Sequence, residues 1–359
     1  MTNSLGFTGD VMLGRLVDER QRRRDVEAVW GNLLDRLRSL DGLFVNLECC
    51  LSTRGTPYAG TYHPFHFRAD PAWAIPALET AGVDWAGLAN NHVLDYGEAA
   101  MLDTLSALDA SGIARSGAGR DEAEAFAPAV VTVDGRDGDE ANASESLDVA
   151  VVSLTDNVPE WAADPDSPGV AYVRIDREDP TVRETVRSTL AAARAHDPDL
   201  LVASLHWGPN MTDGPESARR AFGRWLVDEG VDLVYGHSAH AFHGVEVVGG
   251  SDGEHRGDGR RGSDGGRGLI LYDAGDFVDD YAVDADLRND RSFLFVLEVA
   301  DDGSIERLRL EPTEVYDFSV HDVDQSDAWW WHETMRRRTY RYDLGTEYAT
   351  DGAALVVEV

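Results

Sequence analysis

Short apolar runs alternate with helical patterns along most of the chain, and this alternation restricts the possible fold more than any other feature. The apolar runs lie at 5–8, 43–46, 85–89, 149–154, 200–205 and 231–235. The helical patterns between them lie at 26–40, 71–81, 98–110, 183–196 and 216–229. Strands that alternate with helices are typical of a mostly parallel sheet covered by helices, so the sequence predicts an α/β protein.

The pattern changes in the last third of the chain. There LILYDAGDFV, SFLFVLEVA and ERLRLEP predict strands in antiparallel arrangement, and 328–338 predicts a helix whose three tryptophans pack on the body. Segment 134–146 predicts a solvated hairpin or loop insertion, and the Gly/Asp/Arg-rich segment 249–268 predicts a flexible insertion between two strands. With no repeat or hinge-like linker, we expect one domain over 1–359 that ends in a helix and strand extension at 319–359.

The chain is strongly acidic. It has 66 Asp and Glu residues against 32 basic ones, every basic residue is arginine, and the net charge is -34. Nucleic acids and anionic membranes need a positive surface, so we expect neither as a partner. The acidic residues are spread along the chain, which indicates adaptation to high salt rather than an acidic binding tail.

The sequence also carries signals about location. The N-terminal residues MTNSLGFTGDVMLGR lack the basic stretch and apolar run of a signal peptide, and no run of about 20 apolar residues predicts a membrane span. The only cysteines, Cys49 and Cys50, are adjacent, and neighbouring Cα atoms about 3.8 Å apart are closer than in the usual disulfide. We therefore expect a cytoplasmic protein without an integral membrane segment.

Side chains of the kind that bind metals follow five of the apolar runs. They are Asp10, Glu48, Asn91, His92, His206, His237 and His240. Because the carboxyl ends of parallel strands lie at the same edge of a sheet, these groups can converge although they are far apart in sequence. Each has an ordinary explanation by itself, such as a turn aspartate or a buried histidine, but the recurrence favours a site. The chemistry of the set suits a divalent ion such as Mn²⁺, Fe²⁺ or Zn²⁺.

Seven motifs also occur in a particular order: GDVMLGR (9–15), NLE (46–48), LANNHVLDYG (88–97), GAG (117–119), HWG (206–208), GHSAH (236–240) and YDAGDF (272–277). Over about residues 5–300 the chain thereby resembles the CapA family of poly-γ-glutamate capsule proteins, which are similar to calcineurin-like metallophosphoesterases. The resemblance implies a four-layer α/β/β/α sandwich of the metallo-dependent phosphatase type, with a metal site along one edge.

The resemblance also implies roles for individual residues. One or two divalent metal ions would be held by Asp10, Glu48, Asn91, His206, His237 and His240. His92 corresponds to the histidine that protonates the leaving group, and Asp95 is a candidate to orient it. Arg15 could bind an anionic substrate through its guanidinium group or could form a surface salt bridge.

Three positions depart from the family pattern. Met12 stands where metallophosphoesterases have a histidine, and a thioether is a poor ligand for hard divalent ions, so the number of metals stays open. Ala239 replaces a usual proline in GHSAH. Asp276 replaces a usual asparagine in YDAGDF and adds negative charge near the predicted edge.

Three functions are compatible with these residues. The first is a metal-dependent hydrolase linked to poly-γ-glutamate synthesis or processing, in which a metal activates water and His92 is the general acid. The second is a non-catalytic module for capsule assembly or polymer binding, and the third is an intracellular phosphoesterase unrelated to capsule. The expected partner is accordingly an anionic polymer or a small phosphoester, and the bond that is cleaved stays open.

Overall fold

The computed structural model describes residues 2–135, 146–249 and 267–359. Most of the two predicted insertions, at 136–145 and 250–266, lies outside the described residues. The strands in chain order are β1 (Thr2–Val11), β2 (Gly42–Leu47), β3 (Cys50–Leu51), β4 (Arg68–Ala69), β5 (Trp85–Gly87), β6 (Ala114–Ser116), β7 (Ala118–Gly119), β8 (Ala129–Val133), β9 (Leu147–Thr155), β10 (Gly169–Val170), β11 (Leu200–His206), β12 (Leu233–His237), β13 (Val245–Val248), β14 (Gly268–Leu271), β15 (Asp276–Val278), β16 (Arg291–Ala300), β17 (Ile305–Tyr316), β18 (Ser319–Asp322), β19 (Ala349–Asp351) and β20 (Ala354–Glu358). The α-helices are α1 (Arg15–Gln21), α2 (Leu34–Arg38), α3 (Pro71–Ala81), α4 (Glu98–Ser111), α5 (Glu122–Ala125), α6 (Pro180–Arg194), α7 (Ser217–Asp228) and α8 (Trp329–Arg341), and 3₁₀ helices span Val26–Leu33 and Pro159–Trp161. None of the helices in the described ranges is long and apolar enough to cross a membrane.

Most strands belong to one of two large sheets. The first sheet has the order β19-β20-β17-β16-β1-β2-β5-β6, with β15 beside β1 and β18 beside β17. The second sheet has the order β13-β14-β12-β11-β9-β8. In the first sheet β1, β2, β5 and β6 are parallel, and in the second β9, β11, β12 and β14 are parallel. Each sheet therefore collects the carboxyl ends of several strands at one edge.

An apolar layer joins the two sheets face to face. Phe7 and Phe44 of the first sheet stack with ring centroids 4.9 Å apart, and both belong to the same buried cluster as Val151 and Tyr235 of the second sheet. The Tyr235 ring meets the Phe7 ring edge-on at 5.3 Å. These aromatic contacts fill the space between the sheets and hold their polar edges side by side.

Helices cover the outer faces of both sheets. Val45, the neighbour of inward-facing Phe44, packs in a second cluster with Leu78 of α3 and Leu105 of α4. In the second sheet Val152 packs in a third cluster with residues of α6 and α7, including Phe222. Strands buried on both faces explain why the sequence runs are continuously apolar rather than alternating. The structure thus confirms the four-layer α/β/β/α sandwich.

Local signals predicted some helix bounds well and others poorly. Helix α3 spans 71–81 as predicted, because the Asp70 side chain accepts a hydrogen bond from the Ala72 amide at 3.0 Å and Gly82 ends the helix at φ 78°. The helical pattern predicted at 26–40 is helical in the structure, but not as one helix. The segment forms 3₁₀ helix over Val26–Leu33 and the short α2 after it, and Gly31, with φ 49° and ψ -134°, kinks the chain within the 3₁₀ part.

The C-terminal third departs from the prediction at LILYDAGDFV. This segment forms two strands rather than one, with β14 in the second sheet and β15 in the first. β14 pairs parallel with β12 and antiparallel with β13, whereas β15 pairs parallel with β1. The predicted antiparallel arrangement therefore holds for β16 with β17 and on one side of β14, but not for β15. Of the three tryptophans of α8, Trp331 is buried while Trp329 is 67% exposed, so the predicted packing is wrong for Trp329.

Candidate metal centre

The predicted ligand residues come from the edges of both sheets. Asp10 lies near the end of β1 and Glu48 follows β2 in the first sheet. His206 and His237 end β11 and β12 of the second sheet, where they are direct partners in the parallel register. These strand ends were predicted to share the edge of one sheet, but they come from two sheets whose edges face each other across the site.

The first group of candidate ligands is Asp10, His206 and His237, whose ligand atoms lie within 4.8 Å of one another. The Nδ1 atoms of the two histidines are 2.8 Å apart, and His237 Nδ1 is 3.9 Å from Asp10 Oδ1. Ser204 Oγ lies 2.8 Å from His237 Nε2, and the Asn46 amide donates to Asp10 Oδ1 at 2.7 Å. Neither Ser204 nor Asn46 was singled out from the sequence, although Asn46 is part of the NLE motif.

The second group consists of Asp10, His240 and Asp276, again with ligand atoms within 4.8 Å. His240 Nδ1 is 2.8 Å from Asp276 Oδ1 and 3.6 Å from Asp10 Oδ2. Asp10 therefore faces both groups, one with each carboxylate oxygen. Glu48 adds a further carboxylate, with Oε1 3.6 Å from His206 Nε2 and 3.7 Å from His92 Nε2.

Several ligand-type atoms in this region are buried but have no hydrogen-bond partner. They are Asp10 Oδ2, Glu48 Oε1 and Oε2, Asn91 Oδ1, His240 Nε2 and Asp276 Oδ2. Leaving one such group unpaired costs about 1–3 kcal/mol, so a concentration of them needs a compensating ligand. The oxygens carry free lone pairs, and His240 Nε2 does so when Nδ1 donates to Asp276. The donor set therefore fits a divalent metal ion.

Burial shifts the pKa values of these groups toward their neutral forms. It raises the pKa of Asp10 to about 7, and burial together with the nearby Asp10 charge raises the pKa of Glu48 well above its usual value. Burial also lowers the pKa of His237 and of His240 to about 3, so these imidazoles are neutral and free to act as ligands. A bound cation favours the ionised carboxylates and so reverses the shifts of the acids.

His92 and Asp95 form a hydrogen-bonded pair beside the two ligand groups. His92 Nδ1 is 2.7 Å from Asp95 Oδ2, which also accepts the Phe67 amide at 2.5 Å, and His63 Nε2 is 2.6 Å from Asp95 Oδ1. Burial by itself would raise the pKa of Asp95, but His92 and His63 outweigh it and lower this pKa. His63 was not predicted from the sequence, because it lies between β3 and β4 in a segment without strand or helix periodicity.

Arg15 is packed among aromatic rings near His92. Its guanidinium carbon lies 4.7 Å from the Phe65 ring centroid and 5.0 Å from that of Phe67, and the Phe67 ring is 4.7 Å from the His92 ring. Arg15 Nε is also 3.3 Å from Asp280 Oδ2, so the salt bridge considered as an alternative is present. The side chain is 28% exposed, and the guanidinium nitrogen Nη1 is buried without a hydrogen-bond partner.

Met12 has no part in either ligand group. It is fully buried in the apolar cluster between the first sheet and its helices, together with residues such as Leu13 and Val17. This packing agrees with the poor fit of a thioether to hard divalent ions.

The fold and the buried carboxylates and imidazoles define an α/β/β/α protein with a candidate metal centre between the edges of its two sheets. The chain belongs to the family described as bacterial capsule synthesis protein PGA_cap, which matches residues 4–281. This confirms the resemblance seen in the motifs.

Two relatives show how far the similarity extends. A probable polyglutamine synthesis accessory protein of Mycobacterium tuberculosis is 31% identical over 337 residues, which cover 91% of this chain and 80% of the relative. The PGA biosynthesis protein CapA of Bacillus subtilis is 24% identical over 279 residues, covering 77% of this chain and 63% of CapA. A purple acid phosphatase from yellow lupin seeds has a TM-score of 0.35 and 9% identity, covering 90% of this chain and 53% of the phosphatase.

Proposed function

We propose that the protein is a metal-dependent hydrolase that acts in the synthesis or processing of poly-γ-glutamate. Its one or two divalent ions, Mn²⁺, Fe²⁺ or Zn²⁺, are held by Asp10, Glu48, Asn91, His206, His237 and His240. The observation that carries this proposal is the concentration of buried, unpaired ligand atoms at the facing edges of the two sheets. When bound, such an ion polarises the scissile group and lowers the pKa of water beside it.

In this proposal His92 donates a proton to the leaving group. Its Nδ1 is engaged by Asp95, so the other ring nitrogen, Nε2, points toward Glu48 at 3.7 Å and faces the reacting group. Asp95 fixes the tautomer and the ring orientation of His92, and it is itself held by His63 and the Phe67 amide. The pair is buried, which keeps bulk water from replacing the proton donor.

Arg15 binds the anionic part of the substrate in this proposal. The rings of Phe65 and Phe67 hold the planar guanidinium group next to the site, and a guanidinium can accept a carboxylate or phosphate in two parallel hydrogen bonds. An anionic polymer such as poly-γ-glutamate and a small phosphoester both satisfy this requirement. A cytoplasmic location is part of the same proposal, and cell fractionation tests it.

The experiment is metal analysis of protein purified without added metal, followed by assays on a panel of phosphoester and γ-glutamyl substrates. We expect at least one tightly bound divalent ion per chain and hydrolysis of one substrate class. The variants Asp10→Asn and His237→Asn should lose both metal and activity, because each removes a ligand. His332→Asn is the matched control, since His332, on α8, is hydrogen-bonded to the Ala353 carbonyl between β19 and β20 rather than to any ligand residue.

Two results would decide against the proposal. Wild-type protein that takes up no divalent ion at any concentration contradicts the metal centre itself. Protein that is fully loaded with Mn²⁺ or Zn²⁺ and cleaves nothing on the panel, yet binds poly-γ-glutamate, is a polymer-binding module instead of a hydrolase.

A further inference from the structure

Arg15 lies beside the reacting groups without pairing with any of them. Within the described ranges it forms no ion pair with a candidate metal ligand, and its guanidinium group contacts aromatic rings instead. The Phe67 ring contacts both the guanidinium carbon and the His92 ring, at 5.0 Å and 4.7 Å. The Tyr281 ring does the same between Arg15 and His240, at 5.9 Å and 4.9 Å. Arg15 is therefore one aromatic ring away from the proposed proton donor and one ring away from a proposed ligand.

The guanidinium group of Arg15 contains a donor that needs an acceptor. Its Nε lies 3.3 Å from Asp280 Oδ2, but its Nη1 is buried without a hydrogen-bond partner. The rings of Phe65, Phe67 and Tyr281 lie against the group and fix its plane. Because Asp280 engages only Nε, the two Nη atoms remain for a carboxylate, which a guanidinium group binds through two parallel hydrogen bonds. A buried donor of this kind is explained by a ligand that supplies the acceptor.

Exposed apolar side chains surround Arg15 on three segments of the chain. Leu16 follows it in α1, Phe65 lies between β3 and β4, and Val283 lies between β15 and β16. The segments meet, since the Phe65 ring is 5.6 Å from the Tyr281 ring. Eight large hydrophobic side chains are exposed within the described ranges, and three of them adjoin this one cation. Such a grouping indicates a binding surface for an apolar segment next to an anion.

We infer that Arg15 binds a second negative charge of the substrate, which a short apolar segment separates from the group that reacts at the metal centre. The apolar segment lies on Leu16, Phe65 and Val283. The inference rests on the proposed function, in which the scissile group binds at the metal, and it narrows the substrate to compounds with both groups. Poly-γ-glutamate fits, because methylene groups lie between each amide carbonyl and the carboxylate of the same residue. A phosphomonoester with no other anion does not fit, because its phosphate is at the metal and leaves Arg15 unpaired.

The test compares the binding of two acids that offer no bond to hydrolyse. Glutarate has a carboxylate at each end of a methylene chain, and pentanoate has a methyl group in place of one of them. Isothermal titration calorimetry on the Mn²⁺-loaded wild type should show about 10- to 100-fold tighter binding of glutarate. In Arg15→Gln the two acids should bind equally. Arg15→Lys should keep part of the preference, because it keeps the charge and loses the planar fork.

Arg20→Gln is the matched control. It removes the same charge from the same helix, α1, but Arg20 pairs with Asp317 at 3.3 Å. This variant should keep the full preference for glutarate. Phe65→Ala should weaken the binding of both acids by a similar factor, because it removes apolar contact and leaves the charge of Arg15. Tyr340→Ala removes an exposed ring on α8 and should change neither affinity.

The outcomes separate this inference from the proposed function. A wild type that binds glutarate and pentanoate equally overturns the second-charge subsite, as does an Arg15→Gln variant that keeps the preference. Either result leaves the hydrolase intact if γ-glutamyl substrates are cleaved. A wild type that prefers glutarate through Arg15 but cleaves nothing supports the subsite and refutes the hydrolase. A wild type that binds no Mn²⁺ overturns both, because the subsite is defined by its distance from the metal centre.

Discussion

Replacing His92 with asparagine separates proton donation from metal binding. The ring of His92 is hydrogen-bonded through Nδ1 to Asp95 at 2.7 Å, and its Nε2 lies 3.7 Å from Glu48 Oε1. Asparagine keeps the polarity and approximate size of the side chain but has no titratable ring. His92 is not among the proposed ligands, so metal content and melting temperature should stay close to those of the wild type.

The structure sets the expected size of the effect. Asp95 is held by the His63 ring at 2.6 Å and the Phe67 amide at 2.5 Å, so it presents His92 in one tautomer and one orientation. A positioned general acid contributes about 10²- to 10⁴-fold in rate. A loss of about 10³-fold in kcat, in the middle of this range, corresponds to about 4 kcal/mol in the activation free energy. Asp95→Asn should cause a smaller loss in kcat than His92→Asn. The double variant should have a kcat close to that of His92→Asn, because the two residues act together.

The assay compares substrates that differ only in the leaving group. An alkyl leaving group needs protonation and should show the full loss, whereas p-nitrophenolate leaves as an anion and should show about tenfold or less. His332→Asn again serves as the control histidine, and its rates should match the wild type. Equal losses on both kinds of leaving group, with normal metal content, would refute the assignment of His92 as proton donor.

Three further predictions concern charge. The melting temperature should rise between 0.01 M and 1 M KCl. Over this range the Debye length shortens from about 30 Å to about 3 Å, so the salt screens the self-repulsion of a chain with net charge -34. An unchanged melting temperature contradicts adaptation to salt. In metal-free protein, burial raises the pKa of Asp10 to about 7 and of Asp279 to about 6, so the folded state holds more protons than the unfolded chain between about pH 4 and pH 7. The free energy of unfolding, measured in urea with a chelator, should therefore fall as pH rises through this window, and a rise would contradict the shifts. Arg15→Gln should increase KM for an anionic substrate about tenfold or more with little change in kcat. An unchanged KM would contradict substrate binding by Arg15 and leave its salt bridge to Asp280 as its role.

Local sequence signals predicted the helices and strands of the fold and the ligand types of the site. The Asp70-Pro71 start and the Gly82 stop of α3 act within a few residues, so the helix could be predicted from the chain alone. Residues at strand ends could likewise be recognised as ligand types, because their position follows from the apolar run before them. The order of seven motifs added the family and the four-layer arrangement, which composition and periodicity do not contain.

Tertiary structure decided which of these residues meet. His206 and His237 come from the second sheet and Asp10 from the first, and the apolar cluster between the sheets, which includes Phe7 and Tyr235, brings the two edges together. From the sequence Asp276 was a departure from a motif that adds negative charge near the predicted edge, and only the pairing of β15 with β1 shows that it lies beside Asp10. No periodic pattern marks such a pairing, since it joins residues more than 260 positions apart in the chain.

His63 shows the same limit at the level of a single side chain. Nothing within a few residues of it indicates a role, and its contact with Asp95 joins two segments 32 residues apart. By itself the sequence therefore determined the elements, the ligand types and the family of this protein. The pairing of the sheets decided the rest, because hydrogen bonding between strands and close packing in the core act between residues that are distant in sequence.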